Sequence, residues 1–95
     1  MSAPDLFAEF LACSEAMMAA AIDQDWAALQ ANASQRDEIE AAIKRQRAIE
    51  RRPLNDREAE IFRRVLELDQ EVRDRVEPWL KHAGKLLSRW GALSS

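Results

Sequence analysis

Residues 54–90 read LNDREAEIFRRVLELDQEVRDRVEPWLKHAGKLLSRW, and the fold turns on how this stretch is read. Alternating steps of three and four from Phe62 reach Val65, Asp69, Val72, Val76, Trp79, Ala83, Leu86 and Trp90, the repeat of a helix packed lengthwise on another helix. Asp69 is the one charged residue in that seam. Ile61, Leu66, Leu68, Leu80 and Leu87 lie beside it, which widens the apolar face beyond a two-stranded coiled coil and suits a helix with two neighbours.

The rest of the chain supplies two such neighbours. Pro4 and Asp5 suit the first turn of a helix, where a missing N–H costs nothing and a carboxylate complements the dipole. Leu6, Phe7, Phe10, Leu11, Ser14, Met17, Met18, Ala21 and Ile22 then recur at helical spacing, which predicts a first helix over residues 4–22. Asp23 or Asp25 caps a second helix over residues 26–50, with Trp26, Leu29, Ala33, Arg36, Ile39 and Ile43 inward. Its flank is rich in alanine, either because alanine is the best helix former or because another helix approaches closely there.

Arg51, Arg52 and Pro53 end that helix, since proline disfavours helical geometry in the residue before it. Leu54, Asn55 and Glu58 read as staple, N-cap and capping-box partner for a third helix from residue 56 to about 77. It continues beyond Pro78 to about residue 90, either kinked or broken into a short fourth helix, because proline removes one bond of the ladder while the apolar register runs on. Turning the chain near residue 52 sets the second helix against the third wherever positions sum to about 105. That rule pairs Trp26 with Trp79, Ile39 with Leu66, Ile43 with Phe62, and Arg36 with Asp69, so the two inward charges meet as an ion pair and the two indoles form one layer. The expected architecture is an all-α antiparallel bundle of three long helices in a single domain.

Composition agrees: 47% hydrophobic, 33% charged, two glycines and no tyrosine in 95 residues. A chain of this size buries only about 60–65% of its unfolded surface, so its core has little margin. One cysteine, Cys13, and one histidine, His82, allow neither a disulfide framework nor a metal site, and no convergent polar groups suggest catalysis or a cofactor. No apolar run approaches a membrane span, and acids stand at the N-terminus where a signal peptide carries bases, so the expected compartment is the cytoplasm.

Charge is unevenly spread. Residues 1–42 hold eight acids and one base, residues 43–64 eight bases and four acids, and residues 65–95 five of each. The basic tip (Lys44, Arg45, Arg47, Arg51, Arg52, Arg57, Arg63 and Arg64) raises nucleic-acid binding or transcriptional regulation as an alternative function. Against it stand the absence of interleaved aromatics in that patch and an acidic pI of about 5.2.

At the other end, helix 1 and helix 2 turn back near residue 24, so the third helix overruns the bundle past Trp79. Leu80, Ala83, Leu86, Leu87 and Trp90 then form an apolar strip that must be covered by fold-back, by a second copy in a homodimer, or by a client helix.

Several short runs in this order carry a family likeness: Asp25-Trp26-Ala27-Ala28-Leu29 followed by Arg36, then Leu66-Glu67-Leu68-Asp69-Gln70-Glu71-Val72, then Val76-Glu77-Pro78-Trp79. The chain thereby resembles the FliT-like flagellar export chaperones over nearly its whole length, although it is shorter than the enterobacterial members. The resemblance implies an all-helical cytoplasmic chaperone that binds the filament-cap protein FliD before export. It also implies contacts with the export ATPase and gate and, in some bacteria, with the flagellar master regulator.

Overall fold

A computed structural model describes the backbone of residues 5–94 and the side chains of residues 5–78 and Lys81. It consists of three α-helices, α1 (Leu6–Ile22), α2 (Trp26–Glu50) and α3 (Asp56–Ser94). Each begins where a side chain satisfies the free N–H groups of a first turn. Asp5 Oδ1 accepts from Ala8 N, and Asp25 Oδ1 accepts from Ala28 N, both at 3.1 Å. At the start of α3, Glu58 N donates to Asn55 Oδ1 and Asn55 N donates to Glu58 Oε1, a reciprocal capping box. The turns into and out of α2 each need one left-handed residue, Gln24 (φ 56°) and Arg51 (φ 51°).

Helix α3 runs without a break through Pro78, so no fourth helix begins there. The proline N cannot complete the ladder to Asp74, but the turns on either side hold the helical path. At about 1.5 Å per residue its 39 residues extend about 58 Å, which accounts for the 56 Å long axis of the molecule. Helix α2, with 25 residues, is shorter by about 21 Å.

Helix α1 packs closely on both α2 and α3, whereas among the described residues no Cα of α2 comes within 8 Å of one in α3. The 105 rule keeps its register, with Arg36 opposite Asp69 and Leu29, Ala33, Val72 and Val76 in one cluster, but the close face-to-face approach of the two backbones that it implied is not made. The aromatic residues of α1 are the reason. Phe62 of α3 packs edge-on against Phe7 and Phe10 of α1, with ring centroids at 5.5 and 5.7 Å. Drawn towards α1, the buried face of α3 becomes Ile61, Val65, Leu68 and Val72, and Leu66 is left 68% exposed rather than paired with Ile39.

The core is two apolar clusters. One, towards the tip, joins Phe7, Phe10 and Cys13 to Ile39, Ile43, Ile61 and Val65, with Leu54 and Phe62 against it. The other joins Met17 and Ala21 to Val72, with Leu29, Ala33 and Val76 against it. The alanine flank of α2 is mostly exposed (Ala27, Ala31, Ala41 and Ala48), which fits helix formation rather than close helix approach.

Candidate functional site

Between the two clusters lies a polar layer. Arg36 Nη1 of α2 reaches Asp69 Oδ1 of α3 at 2.5 Å and donates to Ser14 Oγ of α1 at 3.3 Å. Ser14 is the most deeply buried side chain described, and its hydroxyl donates to the Phe10 carbonyl at 3.0 Å. The guanidinium also sits over the Phe10 ring, 5.8 Å from its centroid. The layer thus ties all three helices, and it spans the gap that α2 and α3 leave open.

That gap is a groove floored by α1. On one side of the bridge, a hollow of about 360 Å³ is lined by Met17, Leu29, Ala33, Val72, Arg73 and Val76 as well as the bridging pair. On the other, a hollow of about 350 Å³ is lined by Phe10, Glu40, Phe62, Val65 and Leu66 with the same pair. From Leu29 to Glu40 along α2 is about 16 Å, so the groove accepts roughly three turns of a helix. Its walls are apolar apart from Arg36, Asp69, Glu40 and Arg73, whose charges cancel.

The tip is held by a different network. Arg52 forks onto Glu58 with bonds of 2.7 and 2.8 Å and onto Glu50 at 3.1 Å, and Arg47 donates to the Arg52 carbonyl. The Arg52 bonds, followed by the Asn55 N–H, hold the Glu58 carboxyl down to about 2. Arg57 ties the start of α3 to the start of α1 through Asp5 at 2.6 Å. The Ala8 N–H and then Arg57 lower the Asp5 carboxyl.

Lys44 pairs with Glu40, Arg63 with Glu60 and Glu67, and Arg64 with Glu67. Arg51 donates to the Ala48 carbonyl. Of the eight tip cations, Arg45 alone has no polar partner among the described residues. Lys44, Arg52, Arg57, Arg63 and Arg64 are paired with the chain's own acids, which leaves Arg45, Arg47 and Arg51 as uncompensated charge and weakens the nucleic-acid alternative.

Other residues singled out from the sequence divide as follows. Trp26 is half-buried and shares a hollow with Ile22 and Pro78 at the α1–α2 corner. The side chains of Trp79, Leu80, Ala83, Leu86, Leu87 and Trp90 lie outside the described residues. Cys13 is buried as a free thiol, and burial, then the nearby Glu9, raises its pKa, so it stays protonated at neutral pH. Among the described residues no group of acids, cysteines and histidines is placed to hold a metal, and no helix is long and apolar enough to cross a membrane. Sequence reasoning placed Ser14 on the inward face without seeing that it joins the polar layer. Its burial on α1 opposite an inward arginine was the available signal.

The three helices form a small bundle with an open apolar groove and a neutral polar layer across it. The chain matches the family described as flagellar protein FliT over residues 5–91, nearly its whole length, and belongs to that family. Its role is accordingly that of a flagellar chaperone-like protein, in a family of chaperones rather than of enzymes. No curated protein matches the chain, and no solved structure does.

Proposed function

We propose that this protein is a cytoplasmic chaperone of the filament-cap protein FliD, which it holds as an amphipathic helix in the α2–α3 groove until delivery to the flagellar export apparatus. The observation that carries this reading is the groove itself: α1 floors it, α2 and α3 do not close it, and its walls are apolar along about three turns. An amphipathic helix laid there packs on both α2 and α3, whose backbones stand apart. Leu80, Ala83, Leu86, Leu87 and Trp90 extend the proposed binding surface along the last turns of α3.

The test is isothermal titration of the full chain with purified FliD, repeated for Leu66→Lys together with Ala33→Glu in the groove and for Leu87→Ser together with Trp90→Ser beyond it. Loss of binding in the groove variant with unchanged far-UV helicity supports the reading. Binding equal to the parent in the groove variant overturns the groove as the site, and an unaltered affinity in the second variant removes the strip from it. Absence of binding by the parent overturns the client assignment.

A further inference from the structure

The bridge across the groove is incomplete. A guanidinium and a carboxylate can join through two parallel hydrogen bonds, as Arg52 and Glu58 do at the tip. Arg36 and Asp69 use one atom each, Nη1 and Oδ1, and Nη1 is further engaged by Ser14. Arg36 Nη2 and Asp69 Oδ2 have no partner among the described residues. Of the guanidinium nitrogens only Nε is fully buried without a partner, so Nη2 remains accessible, and the Asp69 side chain is 33% exposed. Both residues line the hollow on either side of the bridge, so the unused donor and acceptor belong to side chains that border the groove.

The geometry points to a partner helix that carries one asparagine or glutamine in an otherwise apolar face, its carboxamide oxygen accepting from Arg36 Nη2 and its NH₂ donating to Asp69 Oδ2. This rests on the groove being the docking site. An apolar side chain at the crossing strips water from both atoms and returns no hydrogen bond. A lysine or glutamate there meets one attractive and one repulsive neighbour in a pair whose net charge is zero. A carboxamide offers an acceptor and donors without charge on two neighbouring atoms, whereas a serine or threonine hydroxyl makes both bonds through one oxygen.

On either side, Leu29 and Val76 in one hollow and Phe62 and Leu66 in the other take apolar residues about one to two turns away. A single polar position of this kind fixes register, since sliding the helix by one turn sets an apolar side chain on the bridge. Residues 80–94 of this chain contain neither asparagine nor glutamine, so they are not the occupant this chemistry selects.

The experiment uses four amphipathic peptides of about five turns, identical except for glutamine, leucine, glutamate or lysine at the centre of the apolar face. Each is titrated by fluorescence anisotropy against the full chain and against the chain carrying Arg36→Met and Asp69→Leu. The glutamine peptide is expected to bind the parent about tenfold more tightly than the leucine peptide, and the preference is expected to reverse in the double variant. Equal binding of the glutamine and leucine peptides to the parent, or a glutamine preference that survives in the double variant, overturns this inference and leaves the groove reading intact. No binding by any peptide to the parent overturns the groove reading and this inference with it. The parent series decides the matter by itself if circular dichroism shows the double variant unfolded.

Discussion

Asp69→Ala leaves a guanidinium whose side chain is only 18% exposed with no anion beside it. Breaking a fully buried pair costs about 3–5 kcal/mol and an exposed one about 0–1 kcal/mol. Arg36 lies nearer the buried limit and retains Ser14 and the Phe10 ring, so the loss is about 2–3 kcal/mol. The reverse change is milder. Arg36→Met leaves a carboxylate that is one-third exposed and able to take water, and methionine refills the space over Phe10, so about 1 kcal/mol is expected.

The combined Arg36→Met and Asp69→Ala chain carries neither charge and should fall within about 1 kcal/mol of the parent, a coupling of about 2 kcal/mol. Urea denaturation followed by far-UV circular dichroism, with the slope checked for constancy across the four chains, measures all of these values. Strict additivity of the two single changes, or an Asp69→Ala loss under about 0.5 kcal/mol, would refute the reasoning that the pair is desolvated and coupled.

Two further outcomes are expected. Glu58 ionises near 2 in the folded chain against an ordinary 4.5, so its contribution is fully present above about pH 4.5 and drains away as pH falls towards 2. Thermal melts from pH 6 to pH 2 should therefore show a decline that Glu58→Gln flattens, and an equally steep decline in the variant rules out the tip network as its source. Ile43→Ala, at a position 2% exposed, should cost about 3 kcal/mol, while Leu66→Ala should change stability by no more than about 0.5 kcal/mol. Comparable losses at the two positions would mean that α3 faces the core differently.

The helix ends were legible because they depend on local chemistry: Asp25, Pro53, Asn55 and Glu58 act on neighbours within one turn. The meeting of Arg36 with Asp69 was legible too, because two charges at inward positions of opposing helices have few other economical arrangements. The partner of α3 was not. Periodicity says that a face is apolar but not which of two neighbours it packs against, and Ile61 and Leu66 both lie beside the seam although one is buried and the other exposed. Three phenylalanines gathering between α1 and α3 decided it, and ring packing of that kind joins residues 7, 10 and 62, far beyond any window of sequence. The groove was hidden for the same reason, since it exists only because α2 and α3 share a wall and meet through side chains, their backbones standing apart.

That shared wall is also made before the two helices it supports. On the ribosome, α1 emerges before either neighbour, and α2 can fold back on it as soon as the turn at residues 23–25 clears the exit. The side of α1 that receives Ile61, Val65 and Val72 stays uncovered until those residues have been added. The nascent protein therefore passes through a hairpin whose open side is the sticky side of its own core, and its synthesis has a window in which a member of a chaperone family is itself in need of cover.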